Sequence, residues 1–136
     1  MKKILSLLIV VILMFTFSAC SGGIKGDEAK AYVNNFFDAI EAKEYELAVT
    51  FLHPERPADL KRFFEGLEKE KGLDFSDFEI DKYTGFSSSY YDSTVDGSAY
   101  GLKMNTIVSG KTVKIEIELV KNEKGYGIYN LDIDFD

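Results

Sequence analysis

Val113-Lys114-Ile115-Glu116-Ile117-Glu118-Leu119 alternates apolar and charged residues without a break. A period of two places Val113, Ile115, Ile117 and Leu119 on one face of a strand and Lys114, Glu116 and Glu118 on the other. The stretch therefore belongs to a sheet with one buried side. Ser109-Gly110 precedes it in the place of a two-residue hairpin loop, and in the run Thr94 to Val108 before that, Leu102, Met104, Thr106 and Val108 share a face. Downstream, Asn122 to Gly125 reads as another turn, and Tyr129, Leu131, Ile133 and Phe135 alternate with Asn130, Asp132 and Asp134. Upstream, Phe75, Phe78, Ile80 and Tyr83 predict a less regular first strand. Gly85 to Asp92, with three serines and paired tyrosines, reads as a loop. Short turns between successive strands predict an antiparallel meander.

Before Gly72 the period lengthens. Ala29, Val33, Phe36, Phe37 and Ile40 recur at steps of three and four behind Asp27-Glu28, carboxylates that the helix macrodipole favours at a first turn. The pattern restarts after Lys43 with Tyr45, Ala48, Val49 and Leu52, and His53-Pro54 ends it, because the residue before proline disfavours the helical region. Pro57 suits a first helical position, and Leu60, Phe63, Phe64 and Leu67 then form a third apolar stripe up to Gly72. Three helices followed by a one-sided meander predict an α+β fold: helices packed on a curved antiparallel sheet of about four strands, covering its apolar face.

The N-terminus has a different composition. Lys2 and Lys3, the apolar run Ile4 to Phe17 and the small pair Ser18-Ala19 have the order of a secretory signal. Sixteen residues from Ile4 to Ala19 span roughly 24 Å as a helix, short of a ~30 Å hydrocarbon core. Cys20, the one cysteine of the chain, follows directly. Phe17-Ser18-Ala19-Cys20 resembles the bacterial lipobox, with Phe17 where Leu is usual. The resemblance implies diacylglyceryl transfer to the Cys20 sulfur and cleavage after Ala19. The expected organisation is a signal peptide over 1–19, an acylated cysteine with a flexible Gly/Ser tether over 20–26, and a single domain over 27–136. Ser21 carries no inner-membrane retention signal of the enterobacterial kind, so the anchor is expected in the cell membrane or the outer membrane, facing away from the cytoplasm. With no second cysteine, stability must come from packing.

Without 1–19 the chain holds 14 Lys and Arg against 23 Asp and Glu, a net charge of −9. This balance argues against nucleic acid as a partner, since phosphate contacts need a basic patch; solubility explains it more simply than a cationic partner.

Ala31 to Ala42, the short Tyr45-Glu46-Leu47-Ala48 segment, and the closing Val113 to Lys121, Asn122-Glu123-Lys124-Gly125, Tyr126-Gly127-Ile128 together resemble small bacterial lipoproteins of the nuclear transport factor 2-like (cystatin-like) superfamily, several of them domains of unknown function. Relatives usually carry tryptophan where Tyr126 stands. The resemblance implies a cone-shaped fold that hosts isomerases, dehydratases, transport factors and inert binding modules, so function rests on a site.

Candidate sites are sparse. Isomerase-like members use an inward carboxylate, whereas Glu116, Glu118, Asp132 and Asp134 fall on the outward face of the predicted sheet. His53, the single histidine, stands at a helix end in a capping or surface position. Asp92, Thr94, Asp96 and Gly97 match the start of a calcium-binding loop, but Lys103 occupies the place of its bidentate Glu, so a polar turn is expected, and no metal or cofactor set is read. The adjacent pairs Phe36-Phe37 and Phe63-Phe64 cannot direct both rings to one point, so at least one ring of each is expected at the core margin. Phe37 and Phe64 are the candidate lining of an apolar ligand pocket, with core packing the alternative. Tyr90, Tyr91 and Tyr100 offer a partner surface or loop packing. The expected function is a non-catalytic binding or interaction module on a membrane anchor, for an unidentified protein or small apolar ligand. The alternative is a cavity enzyme of isomerase or hydratase type. Homodimerisation through the outer sheet face is a third possibility, opposed by its like-charged acids.

Overall fold

The computed structural model describes residues 23–135. Three helices, α1 Gly26–Glu41, α2 Tyr45–Val49 and α3 Leu60–Lys71, precede four strands, β1 Phe78–Asp92, β2 Gly97–Val108, β3 Lys111–Asn122 and β4 Gly125–Asp134. The strands form one antiparallel sheet in the order β1-β2-β3-β4. The α+β meander expected from the alternation is thus present.

Val113, Ile115, Ile117 and Leu119 of β3 and Leu102, Met104, Thr106 and Val108 of β2 are all buried on the concave face. α1 lies against this face and buries Ala29, Val33, Phe36, Phe37, Ala39 and Ile40. Phe36 and Phe37 are both enclosed, which corrects the expected marginal ring. Phe36 meets Phe51 on one flank of α1 (6.3 Å between centroids), and Phe37 stacks on Phe78 of β1 on the other (4.6 Å). Because partners stand on both flanks, neighbouring positions of one helix are buried together.

Ser109 and Gly110 have φ of 52° and 78°, the doubly left-handed turn that matches the twist of a two-residue hairpin. The hydroxyl of Ser109 accepts from Asp74 N–H, and its own N–H donates to Asp77 O, which pins the α3–β1 connection to the hairpin. Gly72, at φ 68°, ends α3.

Four expectations are corrected. Gly85 to Asp92 is not a loop but the second half of β1: Ser87, Ser88 and Ser89 pair with Gly101, Tyr100 and Ala99. Register shifts between Ile80 and Lys82 and between Tyr83 and Gly85 step the concave-face residues Ile80, Tyr83 and Phe86 by three, which hides the alternation. Pro57 lies outside α3; Asp59 caps it, its carboxylate accepting from Arg62 N–H. Tyr129 does not share a face with Leu131, because a bulge between Glu118 and Leu119 sets Ile128 opposite Leu119 and sends Tyr129 to the outer side with Val95, Ala99 and Val120. Finally, residues 24–26, expected in a flexible segment, belong to the fold: Ile24 is buried in the core and Gly26 already opens α1.

Leu52 lies beyond α2 and pairs in parallel with Ile128. His53 N–H donates to Ile128 O, and Ile128 N–H to Phe51 O, so residues 51–53 cap the start of the β4 edge.

Candidate functional site

One face of α1 and the beginning of β1 enclose a surface recess of about 230 Å³ lined by Asn34, Phe37, Asp38, Glu41, Phe78 and Ile80. The helical residues stand at steps of three and four, which brings them to one side. The stacked rings of Phe37 and Phe78 make its floor, with Asp38 and Glu41 at the rim. Asn34 Oδ1 accepts from the Tyr83 hydroxyl at 3.2 Å. Partial burial raises the Glu41 carboxyl above its ordinary value of 4.5, and the negative fields of Asp38 and Asp77 raise it further. Such a site can hold an apolar group with a cation or hydroxyl turned to the carboxylates. Its volume falls below the ~300–1,000 Å³ usual for small-ligand pockets, so it fits one side chain of a partner better than an enclosed substrate.

A second depression, of about 450 Å³, runs along the outer side of α3 between Asp59, Arg62, Phe63, Gly66, Leu67 and Glu70. Gly66 provides its floor, because a Cβ there would meet nothing within 4 Å. The structure thus separates the two expected pocket residues. Phe37 floors the first recess, whereas Phe64 is buried edge-on to Phe75 (4.8 Å), and its exposed neighbour Phe63 lines the α3 groove.

His53 is 1% exposed, which overturns its surface placement. Its Nδ1 accepts from Glu55 N–H at 3.0 Å, which leaves the proton on Nε2, and Nε2 donates to Asn122 Oδ1 at 3.0 Å. Asn122 Nδ2 donates in turn to Glu55 Oε1 and to Val95 O, and Asn122 Oδ1 also accepts from Lys124 N–H. Tyr129 stands edge-on to the imidazole at 5.3 Å, with the Arg56 guanidinium 4.3 Å from the Tyr129 ring centre. This node ties the chain after α2 to both ends of the β3–β4 turn, and every ring and amide atom in it has a partner, so its role is positional. Sequence reading missed Asn122; 69 residues separate it from His53, and no local spacing links them.

Glu116, Asp132 and Asp134 are exposed on the outer face and Glu118 is half-buried there. Glu116 pairs with Lys103 at 3.4 Å, and Glu118 accepts from Asn130 Nδ2. Asp92 and Asp96 flank the β1–β2 turn, with Asp92 Oδ1 accepting from Thr94 N–H. Among the described residues no group of three or more His, Cys, Asp or Glu is arranged to hold a metal ion, and no helix is long and apolar enough to cross a membrane. Cys20 lies outside the described residues. Compared with known proteins, the chain matches no family model, no curated protein and no solved structure.

Proposed function

We propose that the protein is an extracytoplasmic lipoprotein, held at a membrane by acylated Cys20, that works as a non-catalytic interaction module on a nuclear transport factor 2-like fold. The fold reading is supported by the order of helices and meander and by Tyr126, half-buried and edge-on to Tyr32 (4.8 Å), where a tryptophan is usual in that superfamily. The observation that carries the functional reading is the filling of the concave face. Where a cavity enzyme of this shape would hold an inward acid, Leu102, Met104, Ile115, Ile117 and Leu119 pack against α1, and the carboxylates of β3 and β4 point outward. The open recesses on α1 and α3 suit side chains of a partner.

Two measurements test the reading. Cys20→Ser should abolish palmitate incorporation and release the chain from the membrane fraction; label retained on that variant overturns the anchor. Isomerase or hydratase turnover that vanishes in Glu41→Gln with the fold intact would overturn the non-catalytic assignment.

A further inference from the structure

The three most exposed large apolar or aromatic side chains among the described residues all belong to the second half of β1: Tyr90 at 82%, Tyr91 at 67% and Phe86 at 50%. Phe86 stacks on Tyr83 at 5.8 Å, and the Lys30 ammonium of α1 sits over both rings, 4.8 Å from Phe86 and 5.1 Å from Tyr83. The chain enters the fold at this same rim. A Cβ on Gly23 would lie 3.3 Å from the Tyr90 ring, and one on Gly26 2.8 Å from the Tyr100 hydroxyl. From Gly23 back to Cys20 is three residues, at most about 11 Å of extended chain. A lipid on Cys20 would therefore keep the Tyr90 ring within roughly 15 Å of the acylated sulfur, close enough to reach the interfacial layer.

We propose that Phe86, Tyr90 and Tyr91 form a membrane-seating rim, buried in the interfacial layer of the bilayer that carries the Cys20 anchor. This rests on the anchor assigned above and adds an orientation to it. The phenol rings of Tyr90 and Tyr91, apolar with one polar end, favour that layer, Phe86 adds apolar area, and Lys30, whose ammonium sits over Phe86 and Tyr83, places a cation beside lipid phosphate. The net acidity of the rest of the surface disfavours general adhesion to anionic lipid, so the rings rather than charge carry the contact and fix which side faces down.

The chain has no tryptophan, which gives a clean probe. Acylated full-length protein carrying Tyr90→Trp is reconstituted into phosphatidylcholine vesicles, alongside a control with Ile107→Trp, a partly exposed outer-face position near the opposite end of the sheet. Lipid brominated high in its acyl chains should reduce Tyr90→Trp emission about twofold and leave Ile107→Trp unchanged. Equal emission from Tyr90→Trp with and without bromine, in protein that carries palmitate and floats with the vesicles, overturns the rim while the anchor stands. Loss of palmitate and flotation overturns the anchor and the rim together. Shielding of Tyr90→Trp only in native membranes, not in pure lipid, assigns the rim to a protein partner and overturns the lipid contact.

Discussion

His53 holds its buried place through two hydrogen bonds and a ring contact, and each can be removed separately. His53→Phe keeps an aromatic ring against Tyr129 but deletes both nitrogens, leaving Glu55 N–H without its acceptor and Asn122 Oδ1 with one donor fewer. The substitution should lower unfolding free energy by about 2 kcal/mol, and a change under about 0.5 kcal/mol in urea titrations would show the network to be idle. Glu41 gives a pH prediction. Its folded carboxyl binds a proton more tightly than the unfolded chain does, so above that raised value the ionised group works against folding, and the penalty disappears as pH falls through it. Glu41→Gln should therefore raise the thermal midpoint at pH 7 and change little at pH 4. Asp74 has the opposite sign: hydrogen bonds from the Ser76 hydroxyl and N–H lower its carboxyl, so that contribution is present at neutral pH and lost on acidification. Asp74→Ala should lower the midpoint at pH 7 but not below pH 3.

At the scale of elements, β4 depends on a residue with no side chain. A Cβ on Gly127 would stand 2.5 Å from His53 N and 2.6 Å from the carbonyl carbon of Leu52, so the parallel pairing of 51–53 with β4 requires glycine there. Gly127→Ala should cost about 2 to 3 kcal/mol by forcing these backbones apart, whereas Gly110→Asn in the hairpin, where a Cβ meets nothing, should cost under about 1 kcal/mol; paired denaturation curves distinguish the two. The contrast also shows what the sequence made legible. Strands β2 and β3 were readable because an uninterrupted period of two, joined by Ser109-Gly110, is a local property of the chain. Distal β1 was not readable, because its bulges spaced Tyr83 and Phe86 by three and its serines matched the composition of a loop. The Leu52–Ile128 bridge and the His53–Asn122 node join segments about 70 residues apart, which no periodicity encodes. Of the candidate pocket, Phe37 was found through its stripe, but the acidic rim at Asp38 and Glu41 was missed, since solvated carboxylates on a helix look alike until β1 is laid beside them.

For the molecule as a whole, the core is unevenly distributed along the sheet. β2 and β3 are flanked by strands on both sides and roofed by α1, while β1 is an edge strand with no fully buried side chain, and beyond Phe86 none of its apolar or aromatic side chains is even half-buried. Stability should follow that gradient. The amides of Leu102, Met104, Ile115 and Ile117 can exchange with solvent only when the core opens, whereas those of Ser87 to Tyr91 need only the edge to peel from β2, which uncovers little apolar surface. Hydrogen exchange of the protein in solution should therefore be at least roughly 100-fold faster in distal β1 than in the β2–β3 hairpin, and uniform protection across the sheet would show that the edge is held by something other than its ladder. Attachment sharpens the test. If distal β1 rests on the bilayer, acylated protein on vesicles should show exchange slowed at Ser87 to Tyr91 and unchanged in the hairpin, because seating the rim opposes peeling of the edge but adds nothing to a core that is already closed.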